Sequence, residues 1–150
     1  MLRGGERGNE VHAAGFVRER KIVFDEALRL DPGELSRILV HEIFHFAWVR
    51  VSNGTRQSWR QLLVDEFARG ARGELGWSAE CKKTAIHASS AVTPSRAWSE
   101  YSCESFCDTA AWFYLVRPEH EEFTLARRFR EFRREWFCAM LSHQAGGIRI

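Results

Sequence analysis

The sequence has no apolar stretch long enough to cross a bilayer; blocks such as AAWFYLV at 110–116 are broken within a few residues. Its opening, MLRGGERGNE, carries no hydrophobic run, so no secretory leader is expected and the chain reads as a cytoplasmic protein without membrane attachment. The four cysteines, Cys81, Cys103, Cys107 and Cys138, are nowhere in CxxC spacing. They read as reduced, buried thiols, with Cys103 and Cys107 acting as small buried hydrophobes. Internal repeats and low-complexity segments are missing, which excludes solenoids and arrays. Charge of one sign is missing too: a net +2 is too small to imply a polyanionic partner by itself. What is present is a 45% hydrophobic and 28% charged chain of 150 residues, enough for one domain with a proper core.

Residues 1–10 and 142–150 read as flexible ends. VHAAGFV and KIVFD are short apolar runs split by RER, predicting an antiparallel hairpin. A helix should then begin after Asp31, with Pro32 at its first position and Glu34 completing a capping box. Leu35, Ile38, Leu39, Glu42, His45, Phe46 and Val49 keep its period, and Asn53-Gly54 should end it. A second helix is expected over 57–69 and a third over about 99–116. A fourth should span about 119–141, with Leu125, Phe129, Phe132, Trp136 and Met140 as its core stripe. ECKKTAIHA reads as a short helix, and SSAVTPSR as a loop. The fold class is therefore α+β, a small front sheet followed by helices.

The stretch HEIFHF at 41–46 raises the chemical question. Residues i and i+4 of a helix share a face, so His41 and His45 can aim one imidazole nitrogen each at a single ion. Zinc takes such nitrogens at about 2.0–2.1 Å. Glu42, next to the first histidine but turned aside, is placed to take a proton from a water activated there. A catalytic zinc site needs a third protein ligand, so the motif demands one more His, Glu or Asp from another element. EYSCESFCDTAAWFY at 100–114 offers it. Glu104 and Asp108 share a helical face, so Glu104 can reach the metal while Asp108 accepts the free N–H of a ligand histidine. Glu100, four residues before Glu104, defines a competing register; small residues after Glu104 favour the first.

RILVHEIFH followed by ESFCD, with Glu104 59 residues after His45, resembles the gluzincin metallopeptidases, and the chain's length resembles their minimal members, the minigluzincins. The resemblance covers roughly residues 20–116. It implies a zincin-like core with Zn2+ held by His41, His45 and Glu104, Glu42 as general base and Asp108 behind a ligand. It further implies a peptide or protein substrate, paired with an edge strand near Lys21–Asp25. A Tyr or His that stabilises the oxyanion is implied as well; Tyr101 is assigned, with His87 in reserve.

Two other functions remain open on the sequence. RRFREFRREWF, with Arg127, Arg128, Arg130 and Arg134 on one helical face, allows a DNA-associated or otherwise non-catalytic zinc module, although interleaved glutamates dilute its charge. A latent protease covered by its own tail from Ser142 is the other. His120 and His143 are expected to face solvent.

Overall fold

The structure, a computed structural model, describes residues 13–89, 95–115, 119–144 and 147–150. It has the α+β architecture expected. Strands β1 (Ala13–Phe16) and β2 (Lys21–Phe24) form an antiparallel hairpin, pairing Ala13 with Phe24 and Phe16 with Lys21. Arg20, in the left-handed region at φ 51, closes its turn. A short 3-10 helix over Glu26–Leu30 leads into α1 (Pro32–Arg50), followed by α2 (Asn53–Ala68), α3 (Trp77–Ser89), α4 (Arg96–Tyr114) and α5 (Arg127–Ser142).

α1 starts as its sequence demands. The Asp31 carboxylate accepts from the Glu34 amide at 3.0 Å and Pro32 occupies the first turn, an arrangement worth about 1 kcal/mol. Its end differs from expectation. Val51 turns extended and the Ser52 hydroxyl immediately accepts from the Thr55 amide at 3.0 Å. Asn53-Gly54 therefore opens α2 instead of stopping α1, because a serine cap outweighs the weak helix propensity of the two residues behind it.

The core lies where α1, α2, α4 and α5 meet. Phe44, Trp48, Trp59, Leu63, Phe106 and Phe137 are buried there, and the rings of Phe106 and Phe137 stack at 5.3 Å. On the α4 side Phe106 meets Phe44 and Trp48 of α1 at ring distances of 5.6 and 5.1 Å, with the small Cys107 and Ala110 buried in the same cluster where the two helices approach. That approach positions the site.

The last helix begins eight residues later than its apolar spacing suggests. Residues 119–126 are irregular because their backbone is occupied elsewhere: the amides of Thr124 and Leu125 donate to the Glu74 carbonyl at 2.9 and 3.0 Å. Arg130 holds the same segment from below, donating to the carbonyls of Leu125 and Phe123 at 2.6 Å each. His120 is correspondingly not a free surface residue; its Nε2 lies 3.3 Å from Glu34 and its Nδ1 accepts the Glu122 amide. His143 is exposed as expected. Within the end expected to be loose, Ile148 packs against the core and the Ile150 carbonyl accepts from Arg20. The expected loop at 89–96 falls mostly outside the described residues, as does His12.

Candidate metal centre

α1 and α4 bring three donor atoms together. Nε2 of His41 and Nε2 of His45 face each other at 3.1 Å. Oε2 of Glu104 lies 3.3 Å from the first and 3.7 Å from the second. Donors about 2.0–2.1 Å from a tetrahedral zinc ion stand roughly 3.3 Å apart, so the triangle has the edges that such an ion requires. The α4 carboxylate that meets the two imidazoles is thus that of Glu104. Glu100 turns away, bound to Nζ of Lys82 and Nε of Arg96 at 2.8 Å each.

The ring of His41 is fixed from behind. Its Nδ1 lies 2.6 Å from Oδ1 of Asp108, a contact in which the ring nitrogen donates, leaving Nε2 to face the triangle. The other oxygen of Asp108 accepts the Ala79 amide at 2.9 Å, in the first turn of α3, where a carboxylate is favoured. Gly76 lies against this carboxylate so closely that any β-carbon would overlap it. The His45 ring is oriented by a softer partner: its Nδ1 lies 3.4 Å from Sγ of Cys103.

Protonation behaviour points the same way. Burial alone would depress His41, but the charge and hydrogen bond of Asp108, then Glu104, outweigh it and raise its pKa to about 10. His45 is likewise raised against burial by Cys103 and Glu104. Burial favours a protonated Glu104, yet the two imidazoles hold its pKa below the ordinary carboxylate range. Three converging lone pairs this close need positive charge among them. Protons meet that need one ring at a time; a divalent ion meets it for all three donors at once. The residues fit a metal.

Glu42 belongs to the same cluster, with a carboxylate oxygen within 4.8 Å of the donor atoms of His41 and His45. It is buried, and its Oε2 rests against β1, where a β-carbon on Gly15 would stand 2.5 Å away. The strand nearest Glu42 is therefore β1, not the 21–25 segment expected to rim the cleft. β2 lies one strand further out, across the hairpin.

Tyr101 is a correction. Its side chain is fully buried and its hydroxyl donates to Glu74, in a network with Arg133. Burial and the Glu74 charge push its pKa far up. It cannot serve an oxyanion near Glu104. His87 lies on α3, but its side chain is outside the described residues.

Sequence reasoning missed Gly15, Gly76 and the Ala79 amide, none of which carries a chemical signature. It also missed Arg133, hidden in a run that reads as a solvated basic face. Of the other arginines there, Arg130 is spent on carbonyls, and Arg134 sits 4.6 Å over the Trp112 ring.

Compared with known proteins, the chain matches no family model, and no curated protein and no solved structure is significantly similar to it. No described helix is long and apolar enough to cross a membrane.

Proposed function

We propose that the protein is a zinc-dependent metallopeptidase of the gluzincin type. The observation that carries this reading is the triangle of His41, His45 and Glu104 donor atoms with Glu42 beside it. His41, His45 and Glu104 would hold the ion, which would supply Lewis acidity to a scissile carbonyl and to the attacking water. Glu42 takes the proton of that water and passes it to the leaving amine. Asp108 keeps His41 in the tautomer that presents Nε2.

β1 supports the substrate side of the proposal. Among the described residues it pairs only with β2, along one edge, and it passes Glu42 at Gly15. An extended peptide can add to its other edge, with main-chain hydrogen bonds setting the register beside the base. Gly15→Ala is expected to push the Glu42 carboxylate aside while leaving fold and metal content intact. The peptidase rate should fall roughly tenfold or more, since small misplacements of a catalytic group are costly. An unchanged rate would remove β1 from the cleft.

Cleavage of unstructured polypeptide tests the activity itself. The protein should hydrolyse such a substrate, lose the activity on removal of divalent ions with a chelator, and regain it with zinc. Cleavage that persists in excess chelator would assign the hydrolysis to other chemistry.

A further inference from the structure

Behind His45 lies a second set of donors with a different chemical character. Cys103 and Cys107 stand four residues apart on α4, so their side chains share a face. Nδ1 of His45 is 3.4 Å from Sγ of Cys103, and one donor atom from each of the three residues lies within 4.8 Å of the others. Cys107 is fully buried and Cys103 partly so, whereas Cys81 and Cys138 are exposed and apart from this group.

We propose that Cys103, Cys107 and His45 form a soft-metal site, for a monovalent d10 cation of the Cu+ type, sharing the His45 ring with the cluster of His41 and Glu104. Two sulfurs and one imidazole nitrogen are the donors that Cu+ selects, while two nitrogens and a carboxylate oxygen suit zinc. On binding, the cation sheds its water and both thiols release their protons to solvent. The metal keeps its oxidation state and no disulfide forms.

The shared ring links the two sites. A neutral imidazole carries one proton and offers one lone pair. When Nδ1 coordinates Cu+, the proton moves to Nε2, the nitrogen that faces His41 and Glu104. A soft cation therefore opposes a divalent ion in the neighbouring cluster. This antagonism rests on the zinc reading; the soft-metal site itself does not.

The test is an anaerobic titration with Cu+ against a coloured Cu+ chelator, in a Cys81→Ser/Cys138→Ser background that removes the exposed thiols. One Cu+ per chain should bind, with an affinity at least roughly 100-fold above that of the same protein also carrying Cys103→Ser and Cys107→Ser. Equal affinities, or no bound Cu+, overturn the proposal. Should the serine variants not fold, alkylation followed by mass spectrometry decides on the folded background protein. Cu+ should protect Cys103 from iodoacetamide, and an unchanged rate of modification overturns the site. Glu104→Gln separates the two readings: it should leave Cu+ affinity unchanged while zinc binding is lost. Zinc that binds at the same strength with and without Cu+ would overturn the shared ring.

Discussion

Glu42→Gln is expected to keep the metal and lose the peptidase. Glutamine has the shape of glutamate and can sit against Gly15 as glutamate does, so neither the hairpin nor α1 should move. The three donor atoms that define the triangle come from His41, His45 and Glu104, so metal content should match the parent. What the amide cannot do is accept a proton. General-base catalysis typically contributes 10²–10⁴-fold, and a loss of at least about a hundredfold in kcat is expected, with little change in KM. Equal activity in parent and variant would mean that another group takes the proton. Loss of metal together with activity would place Glu42 among the ligands, and the role given to it here would be wrong.

Arg133→Met should cost more stability than any surface change, although the residue lies in a stretch that looks like an ordinary charged helix face. Its guanidinium is fully buried between two carboxylates: Nε and Nη2 donate to Glu66 at 2.9 and 2.7 Å, and Nη1 donates to Glu74 at 2.7 Å. Lys83 gives Glu74 a further contact at 3.2 Å, and Tyr101 and Ser105 donate to it from α4. Removing the guanidinium leaves the Glu66 charge uncompensated in the interior, with Lys83 as the remaining cation on Glu74, a loss on the order of 3–5 kcal/mol. A domain of this size has about 5–15 kcal/mol in total, so denaturant unfolding should show a large fall in midpoint. Adding Glu66→Gln should restore much of it, because the penalty belongs to the abandoned charge, while Glu74 keeps Lys83 as its partner. A fall below about 1 kcal/mol would show that water reaches the cluster.

The same network sets the acid limit of the fold. Burial would raise Glu74, but Arg133, then Lys83 and Tyr101, lower it from 4.5 to about 2. A folded-state pKa below the unfolded value stabilises the protein fully above pH 4.5, and that stability is lost as pH falls through 4.5 toward 2.

The parts of the molecule legible in its sequence are those where one residue type has one physical use. Asp31, Pro32 and Glu34 can hardly do anything but start a helix, and the structure uses them so. His41, His45, Glu104 and Asp108 could be brought together by helical spacing alone, once α1 and α4 were expected to pack. The hairpin followed from two apolar runs and a charged turn. The rest was set by tertiary contacts. Leu125 fits the helical period of Phe129 and Met140, yet it precedes α5, because the Glu74 carbonyl takes its amide first. Tyr101 lies one turn before Glu104 and so looked available to the site. Its hydroxyl is taken instead by the buried Glu74 carboxylate, which Arg133 holds in place. Nothing local marks Arg133 as buried; its partners lie 67 and 59 residues away. The expectation that the 21–25 run rims the cleft failed, since both runs of the hairpin satisfy the same pattern and only the packing on α1 selects β1.

The most direct test is metal content by mass spectrometry on the purified protein, on Glu104→Ala and on Glu100→Ala. One zinc per chain is expected in the parent and in Glu100→Ala, with Glu104→Ala reduced to a small fraction of that. A parent without metal when grown and purified in zinc, or a Glu104→Ala protein that retains its full complement, would contradict the account.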